Sequence, residues 1–287
     1  MEIRTAASPK DVRYYDTERL REEFLIPEVF VKDEIKLVYS HVDRIITGGA
    51  MPTAGALKLD AADELRAQYF LERREMGVIN IGGNGTITVD GHVYKVAHRE
   101  AMYIGMGSKD ISFSSDDDKK PAKFYINSTP AHKTYPTVVI RQEGKAEEGV
   151  VIVKDENKVH LGTLEESNVR TICKYILPGQ VESCQLVMGM THLEPGSVWN
   201  SMPCHTHDRR MEVYLYFEVP EDGFVMHYMG EPSQTRHIVM RNEQAVISPS
   251  WSIHCGCGSS NYTFIWGMAG ENQVFGDMDA VTTDMLR

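Results

Sequence analysis

Apolar and polar positions along this chain alternate over short runs rather than recurring every three or four residues. Gly85–Val89 followed by Asp90-Gly91 and His92–Val96 reads as strand, tight turn, strand. Glu212–Phe217, a Pro220–Gly223 turn and Phe224–Tyr228 repeat that grammar, and Arg236–Met240 and Ala245–Ser248 do so across the polar Arg241–Gln244. Helical spacing is confined to two segments, Thr17–Phe24 after Asp16 and Ala61–Leu71 introduced by Asp60. Many short strands with frequent turns predict an all-β chain of the sandwich or jelly-roll barrel type, with a few short helices.

The chain also echoes itself. Arg74–Ile81 laid without gaps over Arg209–Tyr216 matches an arginine, a methionine, a valine and the apolar rhythm, and Ala101–Gly107 resembles Ala245–Trp251. Two related barrels are therefore expected, residues 1–148 and 149–287, joined in the polar stretch around Glu143–Gly149.

Composition narrows the class. The 287 residues are 42% hydrophobic and 25% charged, which is ample for a packed core. No window approaches ~18 uninterrupted apolar residues, so no transmembrane helix is expected. The first residues carry no apolar stretch of the secretory type, and the five cysteines are an odd number. Reduced thiols in a cytoplasmic protein follow as the expectation. A net charge of −11 without a Lys/Arg cluster argues against nucleic acid or an anionic membrane as partner.

The chemistry concentrates in Cys204–Glu212. Residues i and i+2 of a strand share a face, so His205 and His207 point the same way. A tight turn at Asp208–Arg210 returns the chain with Glu212 on that face. Two imidazoles and a carboxylate suit Zn²⁺, Mn²⁺, Fe²⁺ or Ni²⁺, and His254 at the end of Pro249–His254 offers a fourth donor. These spacings resemble the cupin metal motifs, although the usual glycine two places after the proline is Trp251 here. In the ungapped register Phe70, Glu72 and Gly77 stand where His205, His207 and Glu212 stand, so the first barrel is expected to lack metal ligands. A zinc thiolate site at His254–Cys257 lacks two nearby further ligands, and Cys204 without a base of its own reads as a packing thiol. Gly82–Gly85 reads as a turn, and His192, His227 and His237 each carry a plain structural reading beside any functional one.

The resemblance extends further. Met1–Thr5, Tyr14–Arg21, Tyr39–Arg44, Phe70–Glu75, Thr191–Asn200 and above all Met202–Phe217 look like the bacterial 5-keto-4-deoxyuronate isomerases. That resemblance implies a two-barrel cupin, one Zn²⁺ per subunit on His205, His207, Glu212 and His254, and a homohexamer acting in pectin and uronate catabolism. The implied reaction interconverts 5-dehydro-4-deoxy-D-glucuronate and 3-deoxy-D-glycero-2,5-hexodiulosonate through an enediol(ate). For proton transfer the candidates are Glu212 and, around it, His192, Tyr262 and His237. For the substrate carboxylate they are Arg170, Lys174, Arg209 and Arg236. Two other readings stay open: a metal-dependent cupin dioxygenase, exposed by oxygen uptake, and a sugar-acid-binding cupin without turnover.

Overall fold

A computed structural model describes residues 1–201 and 203–287, so Met202, part of the stretch quoted above, lies outside the described residues. The chain is dominated by strands, and one strand order occurs twice. In the first half Ile35–Ser40, Ile46–Ala50, Phe124–Pro130, Arg74–Asn80 and Ala101–Ile104 lie side by side in a large sheet. In the second half Arg170–Ile176, Val187–Leu193, Thr263–Gly270, Arg210–Phe217 and Gln244–Ser248 do the same. Each large sheet is accompanied by a four-stranded sheet of matching order, Leu57–Lys58, Ile111–Ser115, Gly85–Val89, His92–Val96 against Trp199–Asn200, Cys255–Gly258, Val225–Met229, Arg236–Met240.

The halves exchange edges. Leu25–Ile26 pairs with Gln244–Ser248 in the second large sheet, while Val150–Ile152 pairs in parallel with Val138–Arg141 in the first. Strands on either side of position 148/149 thus complete the other half's sheet.

Arg74–Asn80 and Arg210–Phe217 are buried along their whole length, because each has a core on both faces. Met211, Val213, Leu215 and Phe217 enter a core shared with Ile79, Tyr103 and Tyr125 of the first half. Tyr214 and Tyr216 point the other way, into the second half's own core. The two large sheets therefore pack face to face. Gly267 is required at that contact, since a β-carbon there would lie 2.0 Å from Asn127 Oδ1. The fully buried Glu75 latches the halves together, accepting backbone N–H groups of Cys184, Gln185 and Leu186 at 2.7–2.9 Å and the Tyr103 hydroxyl at 2.8 Å.

Two expectations need correction. Thr17–Phe24 is a helix capped by the Asp16 carboxylate, which accepts the Arg19 N–H at 2.9 Å, but Ala61–Leu71 is not helical. Only Asp63–Leu65 makes a single 3₁₀ turn, ended by Arg66 at φ 47°. Beyond it Phe70 and Leu71, adjacent in sequence, are both buried in the first half's core, and that tertiary gain outweighs the local helix propensity. The internal register also shifts by one. Met76 pairs with Ile104 as Glu212 pairs with Ser248, and Arg74 leads its strand as Arg210 leads its own. Met76, not Gly77, is the counterpart of Glu212, and Arg210, not Arg209, that of Arg74.

Candidate functional site

The site forms where short segments of the small sheets close over the inner face of the second large sheet. His205 lies on His205–Thr206, a two-residue strand held by Asp279–Ala280. Asp208 and Arg209 turn the chain, and Glu212 lies two residues into the central strand Arg210–Phe217. His254 arrives immediately before Cys255–Gly258. One donor atom from each of His205, His207, Glu212 and His254 lies within 4.8 Å of every other, and all four side chains are buried.

The imidazoles are oriented from behind. His207 Nδ1 faces the Arg210 carbonyl at 3.0 Å and His254 Nδ1 the Ser252 carbonyl at 3.3 Å. A carbonyl only accepts, so each Nδ1 carries a proton and each Nε2 points inward. There the four side chains meet: His254 Nε2 is 3.1 Å from His205 Nε2 and 2.9 Å from Glu212 Oε2, and His207 Nε2 is 3.1 Å from the same oxygen. Such a convergence of lone pairs is repulsive unless a proton or a cation lies among them. Bonds of about 2.0–2.1 Å to a tetrahedral ion place donors about 3.3 Å apart, so the four residues fit a divalent transition metal. Carbonyls behind two of the imidazoles are the backing that metal-ligating histidines use.

The electrostatics agree. Burial alone would raise the Glu212 carboxyl, but His254 and His207 outweigh it and hold the group far below the usual carboxylate range. Burial, with His254 next, pushes His205 down to about 3, so its imidazole is neutral at physiological pH. A neutral His205 and an ionised Glu212 are protonation states that metal binding requires.

His205 and Glu212 open into a cavity of about 390 Å³. Ile172, Phe264, Trp266, Met268, Phe275 and Met278 give it apolar walls, while Arg170, Thr191, Asn200, Ser201, Arg210 and Tyr214 supply polar groups. Trp266 lies close over the sheet because residue 189 is glycine; a β-carbon there would come within 2.2 Å of the indole. Its N–H donates to Thr191 Oγ1 at 3.1 Å, which sets the ring's direction. Burial, then the Glu212 charge, raises the Tyr214 hydroxyl well above its ordinary value, so it remains a donor.

The other residues singled out from the sequence divide sharply. Arg170 lines the cavity. Lys174, two positions beyond Ile172 on the same strand face, has its ammonium 4.4 Å from the centre of the Phe275 ring at the cavity wall. Arg209 is outside, bound to Asp277 and Asp279 at 2.7–2.9 Å. Arg236 is also outside, donating to the carbonyls of Arg13 and Tyr15. His192 lies on the opposite sheet face from Thr191, bonded to Thr263 Oγ1 at 2.8 Å and adjoining Arg99 and Glu218. Tyr262 is buried away from the cavity, its hydroxyl donating to the Gly256 carbonyl at 3.0 Å. His227 is held between Tyr216 and Ser248 within the core, and His237 is exposed on an outer strand. Cys255 joins Cys204, Ile253 and Val281 in a small apolar cluster, so the thiols serve packing.

Arg210 was missed. It lines the cavity, and its guanidinium donates to the carbonyls of Val274, Phe275 and Asp277, holding the C-terminal segment across the opening. The period-two rule that paired His205 with His207 contained the signal, because Arg210 and Glu212 share a strand face whereas Arg209 does not.

Residues 24–282 match the model of the KduI/IolB family. The chain is 69% identical over all 287 residues to a 4-deoxy-L-threo-5-hexosulose-uronate ketol-isomerase of Lachnoclostridium phytofermentans, covering both chains fully. Full coverage of both chains also holds for ketol-isomerases of the same name from Lachnospira eligens, at 63% identity, and Escherichia coli, at 54%. Among solved structures, an IolB-like protein from Salmonella typhimurium superposes with a TM-score of 0.65 at 14% identity, over 83% of this chain and 87% of that one. Bacillus subtilis oxalate decarboxylase superposes with a TM-score of 0.53 at 9% identity, over 82% and 71%. At such identities these two likenesses concern the fold alone.

Proposed function

This chain belongs to the KduI/IolB family, and from that premise we infer that it is an isomerase, a 4-deoxy-L-threo-5-hexosulose-uronate ketol-isomerase. The observation that carries the reading is 69% identity over the full length of a protein bearing that name. Its substrate, 5-dehydro-4-deoxy-D-glucuronate in other words, has an aldehyde at C1 and a hydroxyl at C2. Isomerisation takes the proton from C2, forms an enediol(ate) and returns a proton to C1, leaving a C2 ketone and a C1 hydroxyl.

We assign His205, His207, Glu212 and His254 as the residues that hold one Zn²⁺ per chain. The chemistry supplied by that ion when bound is Lewis-acid stabilisation of negative charge developing on oxygen. The protein supplies the rest. Glu212 Oε2 takes both imidazole contacts, while Oε1 has no hydrogen-bond partner among the described residues and is the atom that carries the proton between C2 and C1. The depressed pKa of Glu212 makes it a weak base, so the transfer depends on proximity. Tyr214, a neutral donor in the same cavity, hydrogen-bonds a substrate oxygen, and the apolar walls exclude water. His192 and Tyr262, away from the cavity, take no part.

Two cupin-type units meeting near residues 148/149, a homohexamer and a cytoplasmic setting in pectin breakdown complete the proposal, and they rest on the resemblance of sequence. The test is an NMR time course with the keto-uronate, using protein as isolated, after chelation and after zinc is returned. Conversion that stops on chelation and recovers with zinc supports the isomerase and its metal. Absence of conversion in every state overturns the isomerase, and conversion that survives complete metal loss removes the metal from the chemistry.

A further inference from the structure

Arg170 is 8% exposed and lines the same cavity as His205 and Glu212. Its Nη1 donates to the Asn168 carbonyl at 2.9 Å, but its buried Nε has no partner, and no carboxylate lies within ion-pair distance of it among the described residues. A buried guanidinium that is neither paired nor saturated is costly, and such a group is kept where an anion arrives to complete it.

The other cations are committed. Arg209 is neutralised by two aspartates, Arg236 is spent on backbone carbonyls, and the Lys174 ammonium sits on the Phe275 ring. Arg210 also has an unpartnered Nε, yet its two terminal nitrogens hold three carbonyls of the C-terminal segment. Arg210 starts the strand that bears Glu212, whereas Arg170 lies three strands across the sheet from it. In the keto-uronate the carboxylate is C6 and the reacting aldehyde C1, at opposite ends of the molecule. Arg170 and the histidine–glutamate cluster lie at separate places in one cavity, so an anion at the one and a carbonyl at the other would use both ends of that molecule. An anion at Arg210 would lie beside the Glu212 carboxylate instead.

We propose that Arg170 binds the substrate carboxylate, so that the sugar acid lies lengthwise in the cavity with its aldehyde end at His205 and Glu212. This rests on the ketol-isomerase reading given above. Arg170 is then the residue that selects uronates over neutral sugars, through a charge-assisted bond whose fork geometry lysine does not reproduce.

The experiment compares wild type, Arg170→Gln and Arg170→Lys on the keto-uronate and on its neutral C6 carboxamide, with thermal unfolding and zinc content measured for each. Arg170→Gln is expected to raise KM for the keto-uronate by about 30-fold or more, with kcat changed only a few-fold and KM for the carboxamide raised far less. Arg170→Lys falls between, and guanidinium ion added to Arg170→Gln lowers KM again. A folded, zinc-loaded Arg170→Gln with KM within twofold of wild type overturns the proposal, as does an equal loss on both substrates. Should Arg170→Gln not fold, Arg170→Lys decides by the same ratio between the two substrates. A wild type inactive on the keto-uronate sinks the isomerase reading and this proposal with it, whereas an active wild type beside an unaffected variant sinks this proposal alone.

Discussion

The Nε2 atoms of His205 and His254, 49 residues apart in the chain, face each other at 3.1 Å in a buried site. Two imidazole lone pairs at that distance have no reason to stay together unless they share a positive charge. The Glu212 carboxylate, 2.9 Å from His254 Nε2, adds to the same demand. The cluster is therefore a set of donors that could hold a cation.

Replacing His205 or Glu212 by alanine removes a donor without disturbing either large sheet. Turnover is expected to fall about a thousandfold, since Lewis-acid stabilisation is worth several kcal/mol, while the fold survives. Steady-state kinetics, metal analysis and size-exclusion chromatography check this. A folded His205→Ala variant with near-normal kcat would falsify a catalytic metal.

Metal removal should also register in stability, independently of turnover. An ion that binds only the folded chain, at a thousand times its Kd, adds about 4 kcal/mol. Chelated protein is expected to melt earlier, and zinc to restore the Tm. His207→Ala should show no such zinc-dependent shift.

Glu75 offers a test away from the site. Its carboxylate accepts three backbone N–H groups of the second half from a fully buried position in the first. Glu75→Ala leaves those donors unsatisfied and is expected to cost about 3 kcal/mol or more. Urea unfolding measures it, and an unchanged midpoint would remove Glu75 as a latch.

Acid sensitivity should trace to the contact between the halves. Burial alone would raise Glu218, but bonds from His98, Arg99 and Thr263 bring it down to about 2. A depressed carboxyl contributes stability that is complete above its unfolded value near 4.3. That contribution is lost as pH falls from about 4.3 toward the folded value of about 2. His192 adds in the same direction at higher pH. Burial and then Arg99 lower its pKa, so the unfolded chain takes up a proton there first as pH drops below about 6.5. Stability is thus expected to fall on acidification, and Glu218→Gln to flatten the curve below about pH 4.3. Denaturation curves between pH 7 and 3 decide it; an unchanged slope for the variant counts against the assignment.

Arg210 joins the central strand to residues 274–277 through three carbonyls. Arg210→Met should loosen that segment, raising amide exchange over residues 272–280 by roughly tenfold or more for each 1.4 kcal/mol lost. Exchange that stays at the wild-type rate would mean the segment is held by other contacts.

Much of this was legible in the chain itself, because it depends on local periodicity. Alternation over Gly85–Val89 and His92–Val96 marks strands, and Asp16 before Thr17 marks a helix start, since both follow from backbone geometry within a few residues. His205, His207 and Glu212 were readable together because a strand and a tight turn bring them to one face, and His254 joined them by motif spacing. What depends on distant packing was not readable. Ala61–Leu71 carries a helical pattern, yet burial of Phe70 and Leu71 against strands elsewhere in the chain overrides it. Nor does sequence spacing say that His192 turns toward Glu218 and Arg99 while Thr191 turns into the cavity. The choice among the cations is of the same kind. Arg170, Arg209, Arg210 and Arg236 are chemically alike as letters, and only the assembled sheets show which of them are spent on aspartates or carbonyls and which keep a buried N–H free. The gathering of these four side chains is a property of short-range geometry and motif spacing, which sequence encodes directly. Substrate grip is a property of what remains unpaired after folding, and only the tertiary structure decides that.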